Sequence, residues 1–70
     1  MSAIDHKWLQ QQISVVYSYW SSRIPSSELF DKCVERALYM IQQYRDGINA
    51  EEYRKDVKDL VKARIERGDA

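Results

Sequence analysis

One cysteine, one histidine, one proline and two glycines are spread over 70 residues. A lone Cys33 excludes an internal disulfide and any cluster built on several thiolates, and it fits a reducing compartment. A lone His6 cannot make a two-imidazole metal site within one chain, and it stands near the N-terminus, where a solvated role is the ordinary one. So few glycines and prolines leave little material for tight turns, which favours long helices with short connections over strands. Neither sign of charge is in excess: eleven basic and eleven acidic residues give a formal charge of zero. No net field then draws in nucleic acid or an anionic membrane. No apolar run approaches the roughly 20 residues of a membrane span. The opening MSAIDHKW contains Asp5 and lacks the apolar centre of a signal peptide. The expected location is therefore cytoplasmic.

What is present is apolar enough to fold. Hydrophobic residues make up 44% of the chain, which argues for one globular domain over residues 1–70 and against disorder. A chain of this size buries only about 60% of the surface it exposes when unfolded, so its net stability is expected to be small.

The most distinctive stretch is WLQQQISVVYSYWSS, Trp8 to Ser22, which carries no charge although nearly a third of the chain is charged. On a helix, Leu9, Ile13, Val16, Trp20 and Ile24 form one apolar stripe. Trp8, Val15 and Tyr19 lie beside it and widen it beyond the sector that an ordinary surface helix buries. Gln10, Gln11, Gln12 and four serines fill the remainder with neutral groups that desolvate more cheaply than charges. This helix is expected over residues 3–24, with Asp5 in its first turn and an end forced by Pro25, which disfavours helical geometry in the residue before it.

A second helix is expected over 27–45, with Ser26 and Ser27 supplying cap hydroxyls and Glu28 in its first turn. Phe30, Val34, Ala37, Leu38, Ile41 and Tyr44 make its main stripe, and Leu29, Cys33 and Met40 flank it. Tyr39 falls among the polar positions and is expected to be at least partly exposed. Gly47 marks the stop, as a residue free to adopt a left-handed conformation. Asn49 and Glu52 have the spacing of a capping box, and Ile48 and Tyr53 that of a hydrophobic staple. A third helix follows over 50–67, ending at Gly68, with a narrow stripe of Tyr53, Val57, Leu60, Val61 and Ile65. Its other positions are charged, with Glu51–Lys55 and Lys62–Glu66 as opposite-sign pairs. The fold class is all-α, a small antiparallel three-helix bundle. The alternative is a hairpin that completes its core only as a homodimer. The segment YRDGINAEEYRKDVKDL, Tyr44 to Leu60, resembles the turn of short helical-hairpin domains found at the ends of bacterial proteins.

Chemistry has little to work with. Cys33 flanks an apolar stripe, where cysteine behaves as a small hydrophobe. Glu51, Glu52, Asp56 and Asp59 are interleaved with Arg54, Lys55, Lys58 and Lys62, the pattern of a solvated, salt-bridged face. Glycine-rich phosphate loops and zinc-type Cys/His spacings do not occur. No enzymatic activity, cofactor, metal or small-molecule substrate is expected. A helix-turn-helix reading of residues 27–67 would bring Glu51, Glu52 and Asp56 toward phosphate, and Asp56 stands where such a motif wants an apolar residue. A dimeric nucleic-acid-binding regulator is thus the second reading.

The first reading is a protein–protein interaction module, a regulator, inhibitor or adaptor of a larger bacterial or phage complex. Trp, Tyr and Arg are enriched in interface hot spots, and charge is depleted from interface cores. Trp8, Gln12, Tyr17, Tyr19, Trp20 and Arg23 on the first helix, with Tyr39 on the second, are the expected contact residues. The expected partner is another protein or a second copy of this chain.

Overall fold

The computed structural model describes residues 4–44 and 47–68. Helix α1 spans His6–Trp20, α2 spans Ser26–Tyr44 and α3 spans Arg54–Arg67, with a 3₁₀ turn at Ala50–Tyr53 leading into α3. Each helix packs on the other two, and the described residues contain no strand.

The ends of α1 differ from the expected 3–24. Residues 1–3 lie outside the described residues, and the helix begins at His6 because Asp5 acts as its cap. The Asp5 backbone is extended, and its carboxylate accepts from the Lys7 N–H at 3.1 Å, which satisfies a donor that the helix itself cannot. At the other end the helix stops at Trp20. The N–H groups of Arg23 and Ile24 both turn back to the Trp20 carbonyl, at 2.9 and 3.2 Å. Pro25 bars helical geometry at Ile24, and the Arg23 guanidinium donates to the Tyr19 carbonyl at 2.6 Å, so an orphan acceptor of the last turn is satisfied. Helix α2 then starts at Ser26, one residue earlier than expected, with the Pro25 carbonyl accepting from the Glu28 N–H at 2.9 Å. It ends at Tyr44; Arg45, the expected last residue, lies outside the described residues.

Gly47 has φ +84°, the left-handed conformation that costs glycine nothing and other residues about 1 kcal/mol. A Cβ built there would meet nothing within 4 Å, so the penalty for a side chain is conformational and not steric. Gly47→Ala is expected to lower stability by about 1 kcal/mol, a fall in Tm of roughly 4–8 °C for a chain of this size. Thermal unfolding followed by circular dichroism checks it.

Asn49 caps the turn, but the expected Asn49–Glu52 capping box does not close. The Asn49 side chain accepts from the Glu51 N–H at 3.1 Å, while the Glu52 N–H bonds to the Asn49 carbonyl, also at 3.1 Å. This i→i+3 bond winds residues 50–53 into a 3₁₀ turn where the regular start of a helix was expected. Gln42 Nε2 donates to the Ile48 carbonyl at 3.1 Å and fastens the turn to α2. Glu51 pairs with Arg54 through two contacts at 2.7 and 2.8 Å, not with Lys55, which instead meets Asp59 at 3.2 Å. The Arg54 hydrogen bond holds the Glu51 carboxyl below its ordinary range. Both partners are exposed, so the pair adds little to stability. Gly68, at φ +70°, ends α3 and donates its N–H to the carbonyls of Arg64 and Ile65.

The core is apolar throughout the described residues: Leu9, Ile13, Val16 and Tyr17 from α1, Leu29, Cys33, Val34, Ala37, Leu38 and Ile41 from α2, and Val57 and Val61 from α3, with Ile4 and Ala50 closing it. Ile48 and Tyr53, the expected staple, both pack against it. The Ile4 N–H donates to the Tyr53 hydroxyl at 3.3 Å, which ties the N-terminal segment to the 3₁₀ turn. The molecule measures 36 × 19 × 17 Å. Its two short axes are under two helix diameters, so every helix keeps one side in water. No helix among the described residues is long and apolar enough to cross a membrane.

Candidate interaction surface

Because α1 is uncharged from Trp8 to its end, its water-facing side is uncharged too. Trp8, Gln12, Val15 and Tyr19 recur at spacings of four, three and four, so they share one face of the helix. Val15 is 60% exposed and Tyr19 51%. Trp8 is half-buried: its ring meets Tyr44 of α2 at 4.5 Å between centroids, with the planes tilted by 47°. Gln12, between them, is half-buried as well.

At the end of α1 the rings and cations interlock. Tyr19 meets Trp20 edge-on at 5.0 Å and 77°. The Arg23 guanidinium lies 3.9 Å from the centre of the Tyr19 ring, and Lys32 of α2 lies 4.8 Å from that of Trp20. One turn further along α2, Arg36 covers Tyr39 at 4.9 Å, and Tyr39 is itself 52% exposed. Cations over ring faces contribute about 0.5–1 kcal/mol each at exposed sites. Their larger effect is to hold long side chains in place, so that less freedom is lost when a partner binds. Lys32 also reaches Glu35 at 3.8 Å. Among the described residues, Arg23 and Arg36 have no carboxylate partner.

Of the expected contact residues, Tyr19, Trp20 and Arg23 come together in this cluster. Trp8 and Gln12 extend its face along α1. Tyr39 joins it only through the neighbouring turn of α2. Tyr17 does not belong. It is 8% exposed and part of the core, and its ring is covered by the Arg64 guanidinium at 4.3 Å. The reason is that α3 packs on the side of α1 that carries Tyr17, and one helix's periodicity does not reveal where a third helix will lie. Val15, which lies beside the buried stripe and was not among the expected contact residues, is the most exposed large apolar residue of α1. The spacing 8–12–15–19 was the available signal. Tyr44 is 43% exposed and Trp20 and Ile24 are only half-buried, so the apolar stripes of α1 and α2 continue past what the bundle covers.

Groups able to do chemistry are dispersed. His6 is exposed on the first turn of α1. Among the described residues, no three of His, Cys, Asp and Glu come together in a way that would hold a metal ion. Cys33 is wholly enclosed, and burial pushes its thiol above the ordinary range. The native thiol stays neutral where the unfolded one ionises, so this contribution to stability is complete below about pH 8.5 and declines as pH rises toward the native value. Cys33 is expected to react with a thiol reagent at pH 8 at least about a hundredfold more slowly than in urea, since labelling then waits for unfolding. Following labelling by absorbance with and without denaturant checks it.

No protein-family model, curated protein or solved structure matches this chain.

Proposed function

We propose that this chain is a small non-enzymatic cytoplasmic interaction protein, a regulator, inhibitor or adaptor that presents the outer side of α1 and the adjoining turns of α2 to another protein. The observation that carries the reading is the exposure of Val15 and Tyr19 on a helix without a single charge from Trp8 to Ser22. An exposed helix with no partner is ordinarily charged on its outer side, as α3 is here. An uncharged outer side with Trp, Tyr and Arg along one edge matches the composition of interface centres. In this reading the helices run antiparallel in sequence. The Trp8–Tyr44 contact near one end of α1–α2 and the Trp20–Lys32 contact near the other support that arrangement.

A second copy of the chain is one form the partner takes in this reading, since an uncharged face is compatible with itself across a two-fold axis. Sedimentation over a range of salt concentrations tests the proposal. An apolar interface holds, or tightens, as salt rises, whereas the competing nucleic-acid reading requires binding that weakens steeply with salt. Association that disappears between low and moderate salt would reject the apolar interface.

A further inference from the structure

Two grooves run along α3, and they differ in charge. The groove between α2 and α3, about 500 Å³, is lined by carboxylates and cations together: Asp31, Glu35 and Glu51 with Arg54 and Lys58. Its best-placed pair, Arg54–Glu51, is already closed. Among the described residues, the groove between α1 and α3, about 550 Å³, has only cations among its charged lining residues: Lys7, Arg64 and Arg67. Helix α3 and its 3₁₀ turn supply five carboxylates, and none of them lines this groove.

The rest of the α1–α3 groove suits a folded partner. Val15 and Leu60 line it with apolar surface above the buried Ile13, Gln10, Gln11 and Ser14 offer neutral hydrogen-bonding groups from the α1 side, and Ala63, exposed and small, lets another backbone approach closely. Arg64 is already positioned, with its guanidinium over the Tyr17 ring and bonded to the Gly68 carbonyl. Lys7 and Arg67 are exposed and, among the described residues, without ion-pair partners.

We infer that the α1–α3 groove is a second binding surface, which meets the uncharged face of α1 at Val15, and that it takes an acidic amphipathic helix of another protein. Charge selects the occupant, because the charged described residues that line the groove are all cations in a chain that is neutral overall. Ridges of α1 and α3 on either side suit a third helix lying between them. The wall from Lys7 to Val15 is about 12 Å long, which matches two to three helical turns. A nucleic acid would meet the same cations but no aromatic side chain on which to stack a base.

The test is a titration of the isotope-labelled full chain, followed by amide chemical shifts. The probe is a capped peptide of about three turns with leucines on one face and glutamates flanking them. Saturable shifts at Gln11, Ser14, Ala63 and Arg67 are expected. Binding should weaken about tenfold when the peptide's glutamates are replaced by glutamine, and about tenfold for Lys7→Glu or Arg67→Glu with Tm unchanged. A single-stranded thymidine oligonucleotide should bind more weakly than the peptide. The inference is overturned if the glutamine peptide binds as well as the glutamate one, if the shifts fall outside the groove, if the oligonucleotide binds more tightly, or if no saturation is reached at millimolar peptide.

Discussion

Ile41→Ala is expected to lower stability by about 3 kcal/mol, and Tm by some 15 °C or more. Ile41 has no exposed surface and stands in the last turns of the α2 stripe. The substitution removes buried methyl and methylene groups and leaves a cavity that a well-packed interior only partly closes. In a chain of this length the whole net stability is a few kcal/mol, so the loss is enough to populate the unfolded state near physiological temperature. Val15→Ala, also an aliphatic truncation but at a position mostly in water, should stay within about 0.5 kcal/mol of the parent. Urea unfolding of the two variants side by side measures the contrast. A cooperative transition for Ile41→Ala at the parent's midpoint would mean that the core is not where the structure puts it.

The second large effect separates two tyrosines of one helical turn that point to opposite sides of α1. Tyr17→Ala should cost about 3 kcal/mol of stability, because it empties part of the core and uncovers the Arg64 guanidinium that lies on the ring. Tyr19→Ala should leave the fold within about 1 kcal/mol of the parent and weaken association with the partner tenfold or more, as truncation of a hot-spot aromatic does. Thermal unfolding gives the first number, and sedimentation or calorimetry of the complex the second. If Tyr19→Ala associates as the parent does, the ring cluster at the end of α1 is not a contact surface.

That contrast also marks the limit of what the amino-acid pattern revealed. Residues with a fixed local geometry announced themselves: Pro25 separates α1 from α2, Gly47 and Gly68 take positive φ, and Asn49 caps the turn before α3. The stripes Leu9–Ile13–Val16 and Val34–Ala37–Leu38–Ile41 are buried as their spacing requires. What the pattern left open depends on contacts distant in sequence. Whether Tyr17 or Tyr19 is enclosed depends on which side of α1 receives α3. Leu9, Ile13 and Tyr17, each four apart, could have suggested the answer, but Trp20 drew the stripe the other way. Asp5 became a cap and not a first-turn residue because its carboxylate reaches the Lys7 N–H, a choice decided over a few ångströms. Glu51 took Arg54 in place of Lys55 because a 3₁₀ turn brings residues three apart into line. Of the interaction surface, its absence of charge was legible. Its outline was not, because Val15 belongs to it and Tyr17 does not.

The most direct test places a charge where the account says none is tolerated. A tagged chain is recovered from its native host, the mass of the intact complex is measured, and the measurement is repeated for Val15→Glu. At 60% exposure the glutamate is accommodated by the folded monomer, so Tm should shift by no more than a few degrees. Against a partner it would bury an unpaired carboxylate. The parent is expected to run as a complex and the variant as a bare monomer; a monomeric parent, or a variant that keeps the complex, would contradict an interface on this face of α1.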